Sequence, residues 1–293
     1  LRRAGPSVST RRKNILRFRR WSWRKNKEAS YLYSMTKSDL TISLIQTDIV
    51  WENKAENLRL LGEKINALKG KQHIIVLPEM FSTGFSMRPE SLAEPMDGAT
   101  VVWMKSLAAA NRCIITGSAI IIEDGHYYNR LLWVLPSGDV AHYDKRHLFS
   151  YASENEHYTA GSKRIIAQVN GWKICLNICY DLRFPVWARN TDDYDILLFV
   201  ANWPEKRNEY WETLLKARAI ENMSFVLGVN RVGSDGNDHL YIGNSSIYSP
   251  LGELKIKEEK NEAIIQYVFK HAEIEESRAR FGFLNDRDEF LLR

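Results

Sequence analysis

Cysteine is scarce in this 293-residue chain: there are three, Cys113, Cys175 and Cys179. An odd number with no paired C-x-x-C spacing excludes a disulfide framework and a structural zinc site of the usual kind. Free thiols fit a reducing compartment, so the cytoplasm is expected unless a targeting segment redirects the chain. Long apolar runs are missing as well. No stretch reaches the about eighteen uninterrupted apolar residues that a spanning helix needs, and no membrane partner is expected. There is no G-x-S-x-G elbow, no H-E-x-x-H, no glycine-rich phosphate loop and no dinucleotide fingerprint. The seven histidines are scattered without ligand spacing.

Acid is almost absent from the first 35 residues, where eleven Lys/Arg face only Glu28, a charge of +10. The whole chain carries +5, which leaves −5 for residues 36–293. The basic character therefore belongs to a tail and the body is mildly acidic. Three readings compete for the tail. As a disordered appendage it fits translated upstream sequence, since position 1 is Leu and the first methionine is Met35. As an Arg-rich, acid-poor segment it fits an organellar transit peptide. Arg and Lys interleaved with Trp21 and Trp23 would suit phosphates and bases, yet the acidic body offers no wider basic surface, so a nucleic-acid partner is not expected.

With 44% hydrophobic residues and 11% aromatics, the body can fill a large core. Short apolar runs at 40–46, 73–78, 113–122, 131–136, 172–178, 195–202, 225–230, 244–250 and 263–269 read as strands. Several are apolar at successive positions, which predicts sheets covered on both faces. Residues 54–69 put Ala55, Leu58, Leu61, Ile65 and Leu68 on one helical face, with Asn53 as cap and Gly70 as stop. Residues 209–222 repeat the pattern with Trp211, Leu214, Leu215 and Ala219. Strands alternating with helices predict a layered α/β fold, read as one domain over 36–293 after a 1–35 tail.

In such folds the exits of strands carry chemistry, because a side chain there leaves the interior while its backbone stays fixed. Glu79, in "IIVLPEMFSTGF", follows a buried run; poor solvation would make it a base, and a surface carboxylate is the bland alternative. Lys145, in "VAHYDKRHLFS", can give a fixed charge to a developing oxyanion if held against a carboxylate, whereas most charge runs are solvated faces. Cys175 and Cys179 share a side if their strand is regular. Cys175 lies within the apolar run and reads as a packed thiol. Cys179 lies at its exit beside Tyr180, Asp181 and Arg183, where a thiolate can be stabilised and reached. A Cys–His pair through His147 or His157 remains open.

Together, "LPEMFSTGF", "YDKRHLF" and "NICYDLRFP", in that order, resemble the nitrilase (carbon-nitrogen hydrolase) superfamily. The likeness runs from about residue 40 to 270, through "ANWP", "LLKARAIEN" and "GVNRVG". It implies a four-layer αββα sandwich that commonly pairs into homodimers, with Glu79 as general base, Lys145 as electrostatic partner and Cys179 as nucleophile. A second family glutamate, seven residues before a glycine, matches Glu154 ahead of Gly161 and would orient Lys145 or assist water. The Tyr180 backbone N–H would share the oxyanion. No metal or organic cofactor is implied. The segments look most like the ω-amidase branch, acting on 2-oxoglutaramate and 2-oxosuccinamate, with N-carbamoyl amines, nitriles or short amides as the alternative. Arg183 would then grip the substrate carboxylate, or else pair with Asp181 or Glu221. Phe85 and Trp203 would wall the pocket, or else serve the core.

Overall fold

The computed structural model describes residues 38–291. The three readings of the basic tail lie outside the described residues. Among the described residues there are thirteen strands: β1 Leu40–Gln46, β2 Ile74–Val76, β3 Ile114–Glu123, β4 His126–Val134, β5 Val140–Asp144, β6 Ile166–Val169, β7 Trp172–Ile178, β8 Ile196–Val200, β9 Phe225–Val229, β10 Val232–Ser234, β11 Leu240–Tyr248, β12 Leu254–Glu259 and β13 Ala263–Phe269. The helices are α1 Lys54–Asn66, α2 Pro89–Leu92, α3 Ala99–Asn111, α4 Glu154–His157, α5 Pro185–Ala188, α6 Asn208–Asn222 and α7 His271–Phe281. Among the described residues no helix is long and apolar enough to cross a membrane.

The strands form two sheets, ordered β13-β1-β2-β3-β4-β5 and β10-β11-β9-β8-β7-β6, with β12 beside β11. The centre of each is parallel: β1, β2 and β3 in one, β7, β8 and β9 in the other. Strand alternation explains why they stack. Leu44, Ile74, Val76, Ile114, Leu131 and Trp133 share one core with Ile174, Leu176 and Ile196 of the second sheet. Their neighbours Ile75, Leu77, Ile115, Leu132 and Val134 face the other way, onto Leu61 and Ile65 of α1 and Val101 and Met104 of α3. On the far side α6 lies against β9. A Cβ at Gly228 would come within 2.5 Å of Leu215 and 2.6 Å of Trp211, so glycine there lets the helix approach. The result is the expected αββα sandwich.

Boundaries differ where polar residues interrupt the pattern. The Asn53 cap forms, its side chain accepting from the Glu56 N–H at 3.2 Å, but α1 ends at Asn66, short of Gly70. β4 begins at His126 because its polar half pairs with β3. Five strands or strand halves and α3 had no clean apolar period, the last because this helix is apolar on more than one face.

Candidate active site

Three strand exits converge. Past β2, Leu77 N–H donates to the Thr116 carbonyl and Met80 N–H to the Ser118 hydroxyl, which fixes Glu79 between them against β3. Past β5, the Lys145 N–H donates to the Asn129 carbonyl at 3.0 Å, and its carbonyl accepts from the Gly161 N–H at 2.9 Å. A Cβ at Gly161 would collide with the Asp144 carbonyl, which explains a glycine seven residues after Glu154: the chain leaving α4 must close onto the lysine's backbone. Past β7, Cys179 turns sharply out of the sheet at φ +43°, a left-handed conformation that costs a non-glycine residue about 1–3 kcal/mol and persists only where the surroundings enforce it. The enforcing group is Asp181, whose buried carboxylate accepts from the Ile178 N–H at 3.0 Å.

Lys145 Nζ lies 2.8 Å from Glu79 Oε1 and 3.0 and 2.9 Å from the two Glu154 oxygens, with all three side chains buried. Asn129 Nδ2 bridges the carboxylates at 2.8 and 3.1 Å. The other Glu79 oxygen accepts from the Asn202 N–H at 2.8 Å, and Glu154 also accepts from the Phe149 N–H at 2.6 Å. Burial opposes the charge on Lys145, but the Glu154 and Glu79 carboxylates outweigh it, and its pKa is raised above the usual lysine value. Burial pushes the Glu154 carboxyl up against the pull of Lys145.

The Cys179 sulfur lies 3.9 Å from the Asn202 carbonyl, within reach of the Glu79 and Lys145 charges. Burial first, and then the Glu79 charge, hold its pKa well above that of a free thiol against the opposing Lys145. At 9% exposure the residue is not sealed: it lines a cavity of about 590 Å³ with Lys145, Phe85, Tyr180, Arg183 and Trp203. Tyr180 is the second residue of a 3-10 turn, Cys179–Arg183, where N–H groups have no acceptor inside the turn. Cys175, inside β7, is buried, and burial raises its thiol to about 12.

Arg183 does not make the ion pairs considered for it. Asp181 is taken by Tyr143 and His147, and Glu221 pairs with Arg218. Instead the guanidinium carbon sits 5.3 Å over the Trp203 ring and 5.1 Å over Tyr210. Phe85 lies under Lys145 Nζ at 5.1 Å. Glu154 is not on the cavity wall; it touches Lys145. The His147 ring binds Asp181 at 2.8 Å and stacks on Phe184, which removes it from a Cys–His pair; His157 is not on the cavity wall. Asp144, the carboxylate next to Lys145 in sequence, pairs with Arg130. Sequence reasoning missed Asn129 and Asn202. A buried asparagine inside the apolar "YYNRLLWV" was the available signal for the first.

The carbon-nitrogen hydrolase family model matches residues 41–279. The chain is 43% identical over 254 residues to omega-amidase YafV of Escherichia coli (strain K12), covering 86% of this chain and 98% of that protein. It is 32% identical over 251 residues to the 2-oxoglutaramate amidase of Bacillus subtilis (strain 168), covering 84% and 96%. Among solved structures, XC1258 of Xanthomonas campestris, a CN-hydrolase superfamily protein with an arsenic adduct in its active site, superposes with a TM-score of 0.85 at 42% identity, covering 87% of this chain and all of that one. Nit3 of Saccharomyces cerevisiae, covering 84% and 96%, shares the fold at a TM-score of 0.75 and 21% identity. The chain belongs to the carbon-nitrogen hydrolase family, in its omega-amidase branch.

Proposed function

We propose that this amidase hydrolyses the terminal amide of a small ω-amido acid such as 2-oxoglutaramate or 2-oxosuccinamate, through a thioester on Cys179. The observation that carries the reading is the buried Lys145 ammonium, held by two carboxylates beside a thiol that opens to a cavity. Glu79 takes the Cys179 proton as sulfur attacks the amide carbon. The oxyanion is met by the Lys145 ammonium and the Tyr180 N–H, donors that need not reorganise during the reaction. Glu79 passes the proton to departing ammonia, then deprotonates the water that cleaves the thioester. Glu154 acts through Lys145, keeping the ammonium charged and aimed. Arg183, braced on Trp203 and lacking an acid partner among the described residues, binds the substrate carboxylate, a contact guanidinium makes through two parallel hydrogen bonds. Phe85 and Trp203 wall the site.

Ammonia release from 2-oxoglutaramate and 2-oxosuccinamate, set against N-carbamoyl amines, nitriles and butyramide, tests the substrate class. The two oxo acids should give the highest kcat/KM; a preference for nitriles or carbamoyl compounds would replace this reading. The family's pairing into homodimers is proposed here too, and light scattering should return twice 34.0 kDa.

A further inference from the structure

Two of the four Lys and Arg side chains on the cavity wall have no carboxylate partner. Lys145 is balanced by Glu79 and Glu154, and Arg88 pairs with Glu52 at 2.7 Å. Asp235 is occupied by the Tyr241 hydroxyl and by the N–H groups of Asn237 and His239. Arg183 and Arg207 remain. Both line the cavity, and among the described residues neither guanidinium is paired with a carboxylate. Each is seated on aromatic rings, Arg183 on Trp203 and Tyr210, and Arg207 at 5.2 Å over Phe149. Phe149 in turn meets the Tyr180 ring at 4.9 Å, next to the nucleophile, and the Trp203 indole N–H donates to the Arg207 carbonyl at 2.8 Å. An aromatic face fixes a guanidinium in place without neutralising it.

We propose that Arg207 is a specificity-determining residue that completes, with Arg183, a two-cation subsite for the acid end of a 2-oxo ω-amido acid. The proposal rests on the functional reading above and deepens it. A 2-oxo carboxylate offers three acceptor oxygens close to one plane. One guanidinium edge satisfies two of them, and the third requires another donor. An α-amino acid amide such as glutamine carries an ammonium where the oxo group would be, and two guanidiniums without carboxylate partners repel it. The subsite thus selects by attraction to the oxo acid and by repulsion of the amino acid.

The test compares kcat/KM of the full chain and of Arg207→Gln on 2-oxoglutaramate, glutaramate, glutamine and butyramide. The wild-type protein should rank them 2-oxoglutaramate, then glutaramate, with glutamine far below. Arg207→Gln should lose about 10- to 100-fold on 2-oxoglutaramate, mainly through KM, and at least about tenfold more than on butyramide. Arg207→Lys keeps the charge and should hold the discrimination against glutamine within about threefold of wild type. Equal losses on all four substrates, no loss, or a lysine variant as permissive as the glutamine variant would each overturn the assignment. Wild-type turnover of butyramide with none of the acid amides would instead overturn the functional reading, and this inference with it.

Discussion

Asp181→Asn probes the pin that joins the nucleophile's turn to the lysine's strand. The Asp181 carboxylate accepts four hydrogen bonds. One oxygen takes the Tyr143 hydroxyl at 2.8 Å and the Ile178 N–H at 3.0 Å; the other takes the His147 N–H at 3.0 Å and its ring Nδ1 at 2.8 Å. Asparagine keeps one accepting oxygen and turns the other into a donor. Tyr143 cannot readily accept from that donor, because its hydroxyl already accepts from the Arg146 N–H and the Trp187 indole, each at 3.1 Å. The His147 ring can, by moving its proton to the other nitrogen. The new amide should therefore face His147, keep the Ile178 and Tyr143 bonds, and strand only the His147 backbone N–H. One stranded buried donor costs about 1–3 kcal/mol. Asp181→Ala strands them all and should cost about 4 kcal/mol or more, releasing the strained Cys179 turn and with it turnover. Urea unfolding, read as a midpoint shift at constant slope, measures both. Equal destabilisation by the two variants, or effects of both within about 0.5 kcal/mol of wild type, would refute the reasoning.

Lys145→Met leaves Glu79 and Glu154 facing each other in a buried site, so it should cost about 3–5 kcal/mol in urea unfolding as well as abolishing ammonia release. Glu154→Gln should lower kcat more than KM by weakening the hold on Lys145; an effect on KM alone would remove it from the lysine's service. Burial raises the thiols of Cys113 to about 11 and of Cys175 to about 12, and raises Cys179 too. The unfolded chain releases these protons near pH 9 while the fold retains them, so stability is full below that pH and falls as pH rises. The expected slope is about 1.4 kcal/mol per pH unit for each thiol, and a flat profile from pH 8 to 10.5 in urea unfolding would contradict it.

Glu79 and Cys179 were legible because each follows a buried apolar run that does not tolerate such a residue without purpose. Lys145 follows the polar, partly exposed β5 and stood out only when its segment was taken together with the other two, and the same resemblance picked out Glu154 ahead of Gly161. The supporting groups were not legible. Asn129 sits on β4, fifty residues from the glutamate it touches, and Asn202 meets Glu79 across 123 residues. Such pairings depend on which strands become neighbours, a property of sheet order and not of local pattern. Asp181 read as a partner for Arg183, two residues on, but the turn points it back to Ile178 and across to Tyr143.

The central claim is that the Cys179 sulfur takes the acyl group. Rapid-quench mass spectrometry of the intact protein during turnover of 2-oxoglutaramate tests it most directly. An acyl adduct should map to the peptide that contains Cys179, with adduct and ammonia release both lost in Cys179→Ala while the variant stays folded. Ammonia release that survives in Cys179→Ala would contradict it.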